Sequence, residues 1–229
     1  ITVACAVGGM LVGYISMTGL GLRLSSIILD YSGGHLPVIL IMTTIMGIIL
    51  GMGMPTSGAY IILAALLAPG LVEAGVPLLA AHMFIMYVAA KSSITPPVAI
   101  ASYAAAAVAG TEPWRTSLVA FRLGLSVFII PFMFAYGPAL LGLAPPLEVA
   151  YAAMSATIGV FILSVATVGW FIVPLGWALR LVSLVAAILL IASHMLTDAI
   201  GIALFAAVAA AALVQRQRGA SVTAQERTP

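Results

Sequence analysis

Charge is what this sequence has least of. Eight Lys and Arg and six Asp and Glu stand in 229 residues, 6% of the chain. Soluble domains carry about 25%, and with 64% hydrophobic residues and a mean hydropathy of +1.27 this composition excludes one. Cysteine is almost as scarce: Cys5, alone in an apolar run, rules out a disulfide framework and a thiolate metal site. The three histidines are too scattered for metal-ligand spacing. The few cations form no basic stripe, so nucleic acid is not a partner. A catalytic set is missing too. Ser92 or Ser93 beside Lys91 is the one candidate pair, and neighbours in sequence do not face each other on a helix.

What is there is apolar helix for a lipid bilayer, in lengths that would allow about eight spans of about 25 residues with their connections. The chain starts in mid-helix pattern with no charged n-region or cleavage site, so it reads as the C-terminal portion of a longer membrane protein rather than as a signal peptide. Residues 2–21 read as one span, with Gly9 and Gly13 at a spacing that favours close helix contact. Residues 22–35, with Arg23, Asp30 and Gly33-Gly34, read as an interfacial helix or connection. Residues 1–35 thus form a first region, 36–110 a second, and 111–143 a third, built on a span over 116–141 with Pro131 inside it. Residues 144–214 hold further spans at 149–173, 181–194 and 199–214, and 215–229 read as a disordered cytoplasmic tail.

Lys and Arg placement sets the orientation. Arg115, Arg122, Arg180, Arg216 and Arg218 fall on one face, which is then cytoplasmic; Arg23 dissents.

The region 36–110 carries the chemistry. Two stretches break it: Gly51-Met52-Gly53-Met54-Pro55-Thr56-Ser57-Gly58 and Lys91-Ser92-Ser93-Ile94-Thr95-Pro96-Pro97. The apolar pieces on either side run to roughly 13–16 residues, short of the about 20 a crossing helix needs. Residues 36–72 therefore read as a re-entrant helical hairpin entering from the non-cytoplasmic face, and 78–109 as a span unwound at its centre. Bare backbone at membrane depth is tolerated only where protein buries it or a polar cavity receives it. A broken helix offers free carbonyls to a cation at one end and free N–H groups to an anion at the next.

The residue types suit that use. Thr95 with Pro96 after it, and Thr56 or Ser57, have the character of helix N-caps. The candidate cation ligands are Gly51, Gly53, Met54, Thr56, Ser93 and Thr95; the candidate substrate contacts are Pro55, Thr56, Ser57, Ser92 and Lys91. Ordinary Pro/Gly kinks are the bland alternative. Lys91 reads as a structural counter-charge, a carboxylate contact or a snorkelling side chain. His82 reads as a packing residue with a proton-linked role open, Arg122 as snorkelling, Asp30 and Glu73 as interfacial, and the eleven Met as filler or lipid-facing.

Leu50-Gly51-Met52-Gly53-Met54-Pro55-Thr56, Ala81-His82-Met83-Phe84 and Ile94-Thr95-Pro96-Pro97-Val98-Ala99 resemble the large membrane subunit of tripartite ATP-independent periplasmic (TRAP) transporters, and most of all the fused permeases of the TAXI type. Pro131-Phe132-Met133-Phe134 with Pro138-Ala139-Leu140-Leu141 is similar to that group as well, and the likeness covers roughly residues 1–143. The resemblance implies an all-α polytopic protein of the bacterial inner membrane, half of an elevator-type transporter. It would take a small organic acid from a periplasmic binding protein and move it inward with a cation, usually Na⁺, and no other cofactor. The hairpin and broken helix would be the second of two inverted repeats, so this chain alone would not transport. Lys91 departs from the family pattern, in which an apolar residue is expected. A stand-alone carboxylate or anion symporter of related hairpin architecture, and an uncoupled structural or channel subunit, are the alternatives.

Overall fold

The structure, a computed structural model, describes residues 2–191 and 195–225. They form an all-α chain, apart from a two-residue antiparallel pairing of Trp170–Phe171 with Val173–Pro174. Among the described residues, four helices are long and apolar enough to cross a membrane, Thr56–Glu73, Pro113–Tyr136, Pro146–Val168 and the stretch Leu196–Gln217. This is a polytopic membrane protein. It divides into two compact units, Ile1–Leu141 and Gly142–Pro229.

In the first unit, α1 (Thr2–Thr18) and α2 (Leu20–Ser32) are separated at Gly19, whose φ of +66° only glycine adopts without strain. The span expected over 2–21 therefore ends three residues early, and α2 is the helix alternative read for residues 22–35. Next come α3 (Leu36–Gly51), α4 (Thr56–Glu73), α5 (Leu78–Ser92), α6 (Ile100–Ala109) and α7 (Pro113–Tyr136), closed by a 3-10 turn at Pro138–Leu141. The core lies where α3, α4 and α5 meet, around Leu40, Leu63, Leu67, Leu71, Phe84 and Val88, with Phe132 and Phe134 of α7 packed edge-on against Phe84 and Tyr87.

Between apolar helices in lipid, close packing rather than hydrophobic transfer is the main attraction, and small residues permit it. Gly47 is such a residue: a Cβ there would sit 2.5 Å from Val88 Cγ1. Pro69 lies inside α4, where its missing N–H removes the donor that would face Ala65 O. Gly21 of α2 closes over that carbonyl, so near that a Cβ would stand 2.7 Å from it.

The second unit stacks α8 (Pro146–Val168) on α9 (Trp177–Ile191), and α9 on α10 (Met195–Gln225). Ser155 of α8 donates to Leu190 O of α9 at 2.8 Å, a buried cross-link. At the end of α8, Gly169 (φ +76°) makes room for the Arg180 guanidinium, which caps Ala166 O and Thr167 O at 3.1 and 2.9 Å. That cap and the short β pairing end α8 at Val168 rather than at 173. The tail also differs from expectation. Residues 215–225 continue α10, because Gln215, Arg216, Gln217 and Arg218 are good helix formers and extending a helix needs no new nucleus. Residues 226–229, and His194 in the join before α10, lie outside the described residues.

Candidate ligand site at two helix breaks

Both breaks are present, and each differs in detail from its sequence pattern. The first is tight: α3 ends at Gly51 and α4 begins at Thr56. Gly53 turns the chain at φ +84°, Met52 N–H bonds back to Ile48 O at 3.0 Å, and Met54 N–H reaches Gly51 O at 3.4 Å. Pro55, with no N–H to leave unpaired, stands at the N-cap in extended backbone, and no side chain caps the helix. Thr56 and Ser57 are therefore residues of the first turn rather than caps. With Gly58 and Glu73 also helical, α4 is 18 residues long, against the shorter arm expected. Pro55, Thr56 and Ser57 are exposed at the tip.

The second break is longer, from Ser93 to Ala99 between α5 and α6. Thr95 is not an N-cap either: its Oγ1 donates back to Lys91 O at 2.8 Å, helping to close the C-terminus of α5. Ser93 Oγ donates to Ala90 O at 2.6 Å in the same way. Such backward bonds are the usual local alternative to capping for Ser and Thr. They use the hydroxyl proton and leave the oxygen lone pairs available. The N-cap position of α6 falls to Ala99, fully buried at φ +29°, a conformation an L-residue holds only when its surroundings fix it. Ala99 N–H bonds Thr95 O at 3.2 Å and Ala101 N–H bonds Ser93 O at 3.0 Å, so the loop is knitted to both half-helices.

The two breaks meet. The buried hydroxyl of Ser92 lies 2.7 Å from Ala89 O in its own helix and 3.0 Å from Gly51 O, across 41 residues of sequence. A Cβ on Gly51 would stand 2.9 Å from Ser92 Oγ, so glycine is what allows the approach. A Cβ on Gly53 would come 3.8 Å from Val98 Cγ1, which puts the hairpin tip beside the chain entering α6. The C-terminal ends of α3 and α5 thus converge, and both carry partial negative charge from their aligned peptides. Carbonyls and hydroxyl oxygens gathered at such a point form an environment for a hard cation. Gly51 and Ser92 are in direct contact here. Gly53, Met54, Ser93 and Thr95 lie on the chain immediately adjoining, and Thr56 follows Pro55 as the first residue of α4.

Lys91 does not point into this junction. Its ammonium is 4.6 Å from the centre of the Phe128 ring of α7 and 6.0 Å from that of Tyr87. The side chain is 2% exposed, and Nζ has no hydrogen-bond partner among the described residues. Phe128 was not among the sequence candidates, because nothing in a helical apolar run marks which ring will face a lysine. His82 Nδ1 is 3.0 Å from Tyr60 OH, a polar pair joining α4 to α5. Asp30, Glu73 and Arg122 are exposed.

The second unit holds one polar pair that no short motif announces. Tyr151 OH donates to Asp198 Oδ2, while Asp198 is buried and its Oδ1 has no partner among the described residues.

The family model described as the tripartite ATP-independent periplasmic transporter, DctM component, matches residues 1–149. No curated protein and no solved structure matches the chain.

Proposed function

Because the chain belongs to the DctM component family of tripartite ATP-independent periplasmic transporters, we propose that it is the C-terminal part of a permease that moves a small organic acid inward together with Na⁺. Components of this family work with a periplasmic binding protein; here that partner is of the TAXI type. The membrane is the bacterial inner membrane. The observation that carries the reading is the junction of Gly51 and Ser92, where two helix C-termini meet inside apolar protein.

Na⁺, as a co-transported substrate, would be held at this junction by Gly51, Gly53, Met54, Thr56, Ser93 and Thr95. Unwound carbonyls and half-helix C-termini supply the oxygens, as in other transporters built on broken helices. The acid would lie across the hairpin tip, against Pro55, Thr56, Ser57 and Ser92. The N-termini of α4 and α6 then direct partial positive charge at it. Because the hairpin tip and the second break are linked through Ser92, an ion at one orders the other. In an elevator-type cycle the hairpin and the broken helix would travel as one body with their cargo.

The test is uptake by the full-length permease in proteoliposomes, with and without a Na⁺ gradient and with and without the binding protein, for wild type and Thr95→Ala. Uptake that requires both, with a raised half-saturating Na⁺ in Thr95→Ala, is expected. Uptake driven by a pH gradient and indifferent to Na⁺ would overturn the ion assignment. Independence from the binding protein would favour the stand-alone symporter.

A further inference from the structure

Lys91 is the most expensive side chain in the first unit. An ammonium deep in apolar protein is stable only with a compensating partner, yet Nζ is buried with no hydrogen-bond partner among the described residues. What it has is the face of Phe128 at 4.6 Å. A cation–π contact recovers only part of the cost of taking an ammonium out of water.

Its position relative to the second break is defined by α7. Ile94, inside the break, packs against Gly124 so closely that a Cβ there would be 2.7 Å from Ile94 Cδ1. Phe128 lies one helical turn further along the same face. The ammonium is therefore parked about one turn from the point where the break touches α7, on a flexible four-carbon stem with three rotatable donors.

We propose that Lys91 supplies the recognition charge for the anionic group of the substrate, and that Phe128 holds that charge while the site is empty. This rests on the reading of the breaks as the ligand site and gives it a chemical selectivity: the ligand carries a carboxylate or an equivalent anion that replaces Phe128 as the partner of Nζ. Parking on a ring keeps the ammonium from collapsing onto the carbonyls at the end of α3, where it would compete with a bound cation. Phe128 is thus a positioning residue that sets affinity without touching substrate.

The experiment is thermal unfolding of the purified full-length protein against pyruvate, succinate and citrate as N-methyl-D-glucamine salts, and separately against NaCl. Wild type, Lys91→Met, Phe128→Leu, Phe128→Tyr and the double variant Lys91→Met/Phe128→Leu are compared. A carboxylate is expected to raise the Tm of wild type and leave that of Lys91→Met unmoved. Phe128→Leu should lower the half-saturating carboxylate concentration by about 2- to 30-fold, the range a cation–π contact spans. Phe128→Tyr should restore the wild-type value, and the double variant should show no carboxylate response. No response of wild type to any of the carboxylates, an equal response in Lys91→Met, or a Phe128→Leu shift that persists without the lysine would each overturn the proposal. The NaCl series separates it from the reading beneath. A protein that responds to carboxylate but not to Na⁺ removes the cation site and keeps Lys91 in its role.

Discussion

Adding one methyl group at Gly51 tests whether the two breaks are truly joined. In Gly51→Ala the new Cβ would stand 2.9 Å from Ser92 Oγ and 3.1 Å from Ser92 Cβ, while Leu63 Cδ1 at 3.5 Å is in ordinary contact. Ser92 cannot turn away freely, because its hydroxyl is tied to Ala89 O and Gly51 O. The α5 backbone must shift by a few tenths of an ångström or the cross-helix bond must go. Overpacking of this kind costs about 1–3 kcal/mol, and the lost hydrogen bond adds about 0.5–1.5 kcal/mol. Alanine returns at most about 1 kcal/mol through helix propensity, and less at a helix end. The net expectation is a loss of about 2 kcal/mol, or a Tm lowered by about 4–8 °C in a chain of this size. Thermal unfolding of the purified protein in detergent reads it. Ser92→Gly placed on top of Gly51→Ala removes the clashing atoms and should recover a large share of the loss. A Gly51→Ala protein as stable as wild type, or one that Ser92→Gly fails to rescue, would show that the breaks are not in contact.

Two further substitutions probe other parts of the chain. Tyr151→Phe deletes the hydrogen bond to the buried carboxylate of Asp198, and should cost about 1–3 kcal/mol; the same change in an Asp198→Leu background should cost far less, a difference read by a double-mutant cycle of Tm values. Glu112 caps α7, accepting from Trp114 N–H and Arg115 N–H at 3.1 Å each. Its replacement by Ala should cost about 1 kcal/mol and speed amide hydrogen exchange in the first turn of α7, whereas Glu112→Asp should keep most of the protection.

The membrane class and both interruptions were legible in the sequence because they depend on composition and on Gly, Pro, Ser and Thr, whose backbone effects are local. Cap identities were not. Thr95, Thr56 and Ser57 have the right chemistry for N-caps, but a hydroxyl can equally bond backward to the preceding turn, and at Thr95 it does. Which of the two occurs depends on where the loop is tied, here at Ala99 and Ala101. Contacts across sequence were illegible for a different reason. Ser92 meeting Gly51, Lys91 meeting Phe128 and Tyr151 meeting Asp198 are facts of helix rotation and packing, and apolar helices with little amphipathic pattern do not advertise which face turns inward. Over 215–225 the polar composition that reads as a tail suits helix extension equally well, since Gln and Arg extend a helix readily.

What separates these breaks from ordinary proline kinks is how the freed backbone is satisfied. Pro69 and Pro131 stand inside α4 and α7, and both helices run through them. At Pro69 the exposed carbonyl is simply covered by Gly21 of the neighbouring helix. The breaks at 52–55 and 93–99 do end their helices, and the polar groups left there reach across sequence as well as along it. Ser92 serves the end of α3, and the hairpin tip at Gly53 comes to rest beside Val98. A kink needs only to be tolerated by its own helix. Two helix ends held facing each other by a buried hydroxyl bring partial negative charge together in one place, beyond the one carbonyl that hydroxyl serves. That concentration, more than the presence of glycine and proline, is what favours a transported cation at this junction over two structural bends.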